Sequence, residues 1–431
     1  MKVHFMSFLN YVWFEGMTKV FSVKRSLWME HPTKHLYDLP KKENVESSGT
    51  GPKHMKSIEN LVRDNAKKLK PCIHGAEVYG AAQESGYKIK EILDFSSSVN
   101  PLGPSKKALA AAQTAFNEIS AYPDSDSNQL RRVIASQFSG IIKDNIIVGN
   151  GSTELMYLFA EAFLKRGEKA LMAAPTFGEY ENAVRKTGES VKFVRLRDSF
   201  QIETETFKTA MTGCKMLFLC NPNNPTSKLI PQSTLTELIE TALAQDILVF
   251  LDEDFLEFVD EEKNRTVIPK ISQYPNLFIL RSFTKIFGLT GLRIGYGITS
   301  KEIVDVLLCT KIPWNVNCLG QAAAAAAIED QEHLRITREL IKKEKAWLQQ
   351  ELTAIKGFSF DPPDANFFFI SIHDTGLTAN NLKHRMLSQG ILIRDCSSFV
   401  ELNEFYIRVA VKTHEENVRL IEAFKQSLKT V

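Results

Sequence analysis

Lys285 stands in the stretch LRSFTKIFGLTGLRIGYG (280–297), where the apolar run Leu277, Phe278, Ile279, Leu280 gives way to Ser282, Thr284 and the lysine itself. The pattern reads as a buried strand that delivers an amine at its end. Gly288, Gly291, Gly295 and Gly297 permit tight turning, and Arg293 returns a second cation beside the next apolar segment, IGYGI. A lysine desolvated near another cation loses proton affinity and can attack an aldehyde, the opening step of Schiff-base chemistry. A solvated loop lysine among glycines would look the same in isolation, so the neighbouring segments decide. LVFLDEDF (248–255) is a second apolar strand ending in carboxylates, and MLFLCNPNNPT (216–226) is a third, ending in asparagines and prolines. In open α/β sheets, ligands bind outside the carboxyl ends of the strands.

A buried aspartate beside such a lysine suggests pyridoxal phosphate, whose ring nitrogen needs an anionic partner to stay protonated and act as an electron sink. SFTKIFGLTGLRIGYG, NPNNPT and LDEDF, in this chain, together resemble the fold-type I pyridoxal-phosphate enzymes of the class I/II aminotransferase family, from about His74 to the C-terminus. The resemblance implies an α/β architecture: a large domain with a mostly parallel seven-stranded sheet and a small α+β C-terminal domain. It implies that Lys285 carries the cofactor, Asp252 pairs with the pyridine nitrogen and Asn224 bonds the ring's 3-oxygen. Ser282 and Arg293 would hold the phosphate.

Two further segments extend the cofactor site. GNGSTELMYLFAEAF (149–163) follows a short strand, and Gly151, Ser152 and Thr153 open a helix whose free N–H groups suit a phosphate. They would form the second half of a phosphate cup. KALMAAPTF (169–177) is another strand with Phe177 just beyond it, a residue that fills a core or, by the resemblance, stacks on the pyridine face. Related aminotransferases commonly carry D-E-x-Y, with the tyrosine bonded to the 3-oxygen; Phe255 stands there in this chain and cannot donate that bond. Ser227 replaces the glycine that commonly ends N-P-N-N-P-T-G, a change that should spare Asn224.

The substrate side rests more heavily on resemblance. His74-Gly75 followed by DFSSSVNPLG (94–103) looks like the threonine-phosphate decarboxylases of cobalamin biosynthesis. In that group the pair and the turn face the substrate, which carries over to His74, Gly75, Ser97, Ser98 and Asn100; which serine points inward stays open. By spacing alone His74 is a structural loop histidine. FSFDPPDANFFFISI (358–372) places Asn366 near a strand edge, and ILIRDCSSFVELNEFYIRVAVK (391–412) supplies Arg394 and Arg408 within apolar strands. An arginine there is costly unless it meets an anion, and its planar fork matches carboxylate and phosphate. By the resemblance Arg408 grips the substrate carboxylate and Arg394 its phosphate; a salt bridge of Arg394 with Asp395 or Glu401 is the plain alternative. Tyr122, before Pro123, either packs its own loop or, as the family implies, reaches a partner's cofactor phosphate in a homodimer.

Seven strands beginning at Asn145, Lys169, Val191, Lys215, Ile247, Leu277 and Arg293 alternate with helical runs such as Ser233–Ala244, the signature of a mostly parallel sheet covered on both faces. QAAAAAAIEDQEHLRITRELIKKEKAWLQQEL (321–352) reads as a long helical tract bridging to a second domain. The expected division is an extension over 1–55, an N-terminal arm with part of the small domain over 56–105, the large domain over 106–315 and the small domain over 316–431. The extension is aromatic-rich yet too polar for a membrane span or a signal peptide.

With 53 Lys and Arg against 51 Asp and Glu, net charge +2 argues against nucleic-acid binding. Six cysteines without C-x-x-C spacing read as reduced, intracellular thiols; neither a metal nor a membrane is expected, and the location expected is cytoplasmic. The reading as a whole is a pyridoxal-phosphate lyase that decarboxylates threonine phosphate or serine phosphate. A histidinol-phosphate aminotransferase and a non-catalytic module of the same fold are the alternatives.

Overall fold

The computed structural model describes residues 58–197 and 199–429, so the extension over 1–55 lies outside the described residues. The strands are β1 Leu93–Asp94, β2 Ile146–Asn150, β3 Lys169–Ala174, β4 Ser190–Arg195, β5 Met216–Cys220 and β6 Leu248–Asp252. They continue with β7 Leu277–Ser282, β8 Ile294–Thr299, β9 Phe367–Ser371, β10 Ile391–Leu392, β11 Arg394–Asp395 and β12 Tyr406–Ala410. Strands β2 to β8 build one seven-stranded sheet in the order β2-β8-β7-β6-β5-β3-β4. Only β8 runs against its neighbours. Each of these strands starts within one residue of its sequence expectation.

The central strands are apolar throughout because both faces of the sheet are covered. Leu217, Leu219, Val249, Leu251, Leu277 and Ile279 belong to one core. Their alternating neighbours Met216, Phe218, Phe250, Phe278 and Leu280 belong to another, with Leu155 and Phe159 of the helix Ser152–Phe163 and Tyr180 and Val184 of the helix Glu179–Thr187. A strand's side-chain period of two sorts the residues in this way. Phe250 and Phe278 stack at 5.0 Å across neighbouring strands. Burying each such side chain contributes roughly 1.5–3 kcal/mol, enough in sum to fix the register and hence the strand ends.

A three-stranded antiparallel sheet, β11-β12-β9, and a parallel pair, β1-β10, complete the chain. The single helical tract expected after residue 321 is two helices, Cys318–Glu329 and Gln331–Thr353. Asp330 breaks them: its ψ of 68° is non-helical, and its carboxylate lies 3.2 Å from Lys107 Nζ. From Val62 onward the chain is one compact unit, so the expected boundary at 315/316 separates sheets rather than separately compact bodies. All six cysteines are free thiols. Among the described residues no helix is long and apolar enough to cross a membrane.

Candidate active site

The strand ends deliver the expected residues to one edge. Gly151 follows β2, Phe177 lies three residues beyond β3, Asn224 four beyond β5, Asp252 ends β6 and Lys285 lies three beyond β7. A cleft of about 610 Å³ opens there, lined among others by Ser152, Thr153, Phe177, Asn224, Asp252, Phe255, Lys285 and Arg293. The backbone fixes the lysine, whose carbonyl accepts from the amides of Asn100 (3.0 Å) and Gly288 (3.2 Å). Its amine lies 3.8 Å from Asp254 Oδ2 and 5.1 Å from the Phe255 ring centre. Burial lowers the proton affinity of Lys285; Asp254 opposes that shift, and Arg408 and Arg293 add to it.

Asp252 is buried behind the lysine. Its Oδ2 accepts from Tyr180 Oη at 2.7 Å and its Oδ1 from the Asp254 amide at 2.9 Å. Burial, with the Asp254 charge beside it, pushes its pKa up to about 7. Tyr180 was not legible as a site residue. It sits three residues past Phe177, on the first turn of a helix, where an apolar sheet contact is the ordinary expectation, and only the fold shows its hydroxyl reaching the end of β6.

The phosphate cup forms where β2 meets the helix Ser152–Phe163. Gly151 has φ +81°, and a Cβ there would stand 2.4 Å from Arg293 Nη2, so the guanidinium lies against bare backbone at the helix start. The helix is twelve residues long, and its unpaired first-turn N–H groups and the arginine together suit a phosphate. Ser282 departs from expectation. It is fully buried behind the wall, where its hydroxyl accepts from the Thr284 amide at 3.0 Å and bonds Asp254, while Thr284 is the residue that lines the cleft.

Opposite the lysine lie the two arginines. Arg408 donates through Nη1 to Asn224 Oδ1 and through Nη2 to the Ser96 carbonyl (2.7 Å), while its buried Nε has no protein partner. Burial pushes its pKa down to about 10. Ser227 preserves this arrangement: it adopts φ +60° where a glycine was expected, and its hydroxyl accepts from the Ala365 amide at 3.0 Å, securing the loop that carries Asn224. Arg394 makes no salt bridge with Asp395 or Glu401. It donates to the carbonyls of His74 and Ile73 (both 2.7 Å) and to Ser398 Oγ (2.9 Å), clasping the N-terminal arm. Three of its five N–H donors are thereby used, and it still lines the cleft.

His74 and Gly75 also line the cleft, and a Cβ at Gly75 would stand 2.4 Å from the Ser96 carbonyl. Ser96, Ser97 and Ser98 all line it too. The hydroxyls of Ser96 (2.6 Å) and Ser97 donate to Asp94, whereas the buried Ser98 Oγ has no partner and is the one left for a ligand. Two expected residues face elsewhere. Asn100 bonds the Ile286 carbonyl (2.8 Å) and Thr337 Oγ1 (2.9 Å), bracing the lysine loop from behind. Asn366 is buried and donates to the Ser98 carbonyl at 3.3 Å. Neither lines the cleft, because each amide is taken by a backbone carbonyl from a distant part of the chain. Tyr122 is 81% exposed and stacks on Trp314 at 4.7 Å, outside the cleft.

The family model for aminotransferase class I and II matches residues 90–424. The chain belongs to that family. This aminotransferase-family chain is 33% identical over 354 residues to a histidinol-phosphate aminotransferase of Methanosphaera stadtmanae, covering 81% of the chain and 93% of that protein. It is 34% identical over 361 residues to a provisionally named threonine-phosphate decarboxylase of Caldanaerobacter subterraneus subsp. tengcongensis, covering 83% and 95%. The crystal structure of L-threonine-O-3-phosphate decarboxylase from Porphyromonas gingivalis is similar with a TM-score of 0.69 and 29% identity, covering 78% of this chain and 99% of that one.

The family's cofactor is pyridoxal 5'-phosphate, and the residues fit it. Asp252 is a buried carboxylate without an ion pair among the described residues, which a protonated ring nitrogen would complete. The Gly151–Arg293 cradle has no room for a Cβ and has the charge a phosphate needs. Gly151, Ser152, Thr153, Thr284 and Arg293 would hold the phosphate, Phe177 and Phe255 would flank the ring, and Lys285 would carry it.

Proposed function

We propose that this aminotransferase-family enzyme is a lyase that releases CO₂ from a small O-phosphorylated amino acid. L-Threonine O-3-phosphate, yielding aminopropanol phosphate for the cobamide nucleotide loop, is the favoured substrate, and L-serine O-phosphate, yielding ethanolamine phosphate, is the close substitute. The observation that carries this reading is the pairing of Arg394 with Arg408, directly opposite each other on β11 and β12 and both buried. Paired Cα atoms in such a ladder stand roughly 4.5–5.5 Å apart, so the two cations favour one compact ligand bearing a carboxylate and a phosphate near the same carbon. Histidinol phosphate carries the phosphate alone. Phe255 in place of tyrosine supports the same choice. The relatives' names keep the histidinol-phosphate aminotransferase as the second reading.

Each residue then has a task. Arg408, braced by Asn224, binds the carboxylate; the free donors of Arg394, with His74 and Ser98, bind the phosphate. Two anchors fix rotation about Cα and so select which of its bonds breaks. Pyridoxal phosphate supplies the electron sink for the pair left on Cα when the bond to the carboxylate carbon breaks and CO₂ departs. Lys285, whose proton affinity Asp254 supports against burial, delivers a proton to Cα, forming the C–H bond of the amine product. The exposed Tyr122 supports a homodimer in which it reaches the partner's phosphate cup.

The discriminating experiment incubates the protein and its cofactor with threonine phosphate, with serine phosphate, and with histidinol phosphate plus 2-oxoglutarate. CO₂ from a phospho-amino acid without glutamate is expected. Glutamate from histidinol phosphate without CO₂ would replace this reading by the second.

A further inference from the structure

We propose that Cys72, His74 and Glu179 form a binding site for a thiophilic divalent ion of the Zn²⁺ type at the mouth of the cleft. No such site is expected from the sequence, because the ligands come from two segments more than a hundred residues apart. Cys72 and His74 share one side of the N-terminal arm, and Ile73 between them is 64% exposed. Glu179 opens the helix Glu179–Thr187 and is buried beneath them. Their ligand atoms all lie within 4.8 Å of one another, and His74 Nε2 is 2.9 Å from Glu179 Oε1. Zinc bonds of about 2.0–2.3 Å place tetrahedral ligand atoms roughly 3.3–3.8 Å apart, so shifts of about 1 Å would close the site.

The surroundings hold each ligand in place, as outer groups do in metal sites. Tyr157 Oη donates to the other Glu179 oxygen at 2.5 Å. Arg394 clamps the carbonyls of Ile73 and His74. Gly178 leaves space for the thiol, since a Cβ there would stand 2.7 Å from Cys72 Sγ. One thiolate, one carboxylate and one neutral imidazole balance a dication. Cys72 and His74 line the cleft, which leaves the fourth tetrahedral position to water or a phosphate oxygen.

Occupancy takes His74 from the substrate, so Zn²⁺ inhibits; that consequence alone rests on the proposed reaction. The test titrates holoenzyme with Co²⁺ as a spectroscopic stand-in. One equivalent per chain should give visible bands of tetrahedral cobalt and a thiolate charge-transfer band, both abolished by Zn²⁺. Cys72→Ser should remove the thiolate band, and Glu179→Gln should weaken binding at least tenfold. Absence of the thiolate band, or its survival in Cys72→Ser, would overturn the proposal. In turnover, Cys72→Ser should be at least tenfold less sensitive to Zn²⁺ than wild type; equal sensitivity would overturn the inhibitory role. Cobalt spectra as expected in a protein that releases no CO₂ would leave the metal site standing and remove the reaction.

Discussion

Arg394 on β11 and Arg408 on β12 are cross-strand partners, buried and in register. Like charges directly opposite one another destabilise a sheet, and among the described residues neither arginine forms an ion pair with a carboxylate. Arg408 is held instead by Asn224 and a carbonyl, and Arg394 by two carbonyls and a serine. Burial, with Arg394 contributing, lowers the proton affinity of Arg408. A ligand with two anionic groups relieves this repulsion twice. Threonine phosphate should therefore raise the melting temperature of the holoenzyme more than threonine and inorganic phosphate added together, and Arg394→Met should abolish that excess. Equal shifts would break the link between the pair and the ligand.

Arg408→Lys keeps the charge but loses the fork that spans Asn224 and the Ser96 carbonyl. Cutting a buried, hydrogen-bonded charge from its partners costs about 2–5 kcal/mol, so kcat/KM should fall by at least roughly 30-fold. Steady-state kinetics of the variant measure this, and a loss under tenfold would place the carboxylate elsewhere.

Asp254 stands 3.8 Å from the Lys285 amine and opposes the loss of proton affinity that burial imposes there. Asp254→Ala and Asp254→Asn should lower the pH at which the absorbance of the lysine-bound cofactor titrates, by roughly one unit. The spectral titration needs no turnover. An unchanged midpoint would remove Asp254 from the account of how Lys285 stays an acid.

Much of this was written locally. Lys285, Asp252 and the glycine turn at Gly151 each stand at or just beyond the end of a strand whose apolar run is visible in the sequence, so a local pattern sufficed to put them at the sheet edge. The misplacements involve partners far along the chain. Nothing near Asn100 announces that Thr337 and Ile286 will occupy its amide, nor near Arg394 that the carbonyls of Ile73 and His74 will claim its fork. Ser282 and Thr284 stand two residues apart, which would put them on one face of a continuing strand, and which of them faces the cleft depends on how the chain turns after β7. Tyr180 and Glu179 lie on a helix whose rotation against the sheet decides what their polar ends meet.

The buried Asp252 predicts how stability of the cofactor-free protein depends on pH. Its folded pKa of about 7 exceeds the ordinary 3.8, so between these values the folded state holds a proton that the unfolded chain has released. Stability must then fall as pH rises from about 4 to 7, by a few kcal/mol at most. Urea unfolding at pH 5 and pH 8 should show the fall in cofactor-free wild type and a smaller one in Asp252→Asn. Bound cofactor, by supplying a cation, should reduce it too.

Gly151→Ala forces a Cβ to 2.4 Å from Arg293 Nη2 at a φ of +81°. The arginine must leave the cup, and cofactor release measured by dialysis and absorbance should accelerate at least tenfold, the effect of losing about 1.4 kcal/mol of binding. Retention as in wild type would mean that the phosphate sits elsewhere.

The central claim is that a carbon–carbon bond breaks at Cα. Threonine phosphate labelled with ¹³C at its carboxyl carbon tests it most directly. The account predicts that the label leaves as CO₂, one per aminopropanol phosphate formed, without any keto acid. Label retained in a 2-oxo acid, or no consumption of this substrate beside ready conversion of histidinol phosphate, would contradict it.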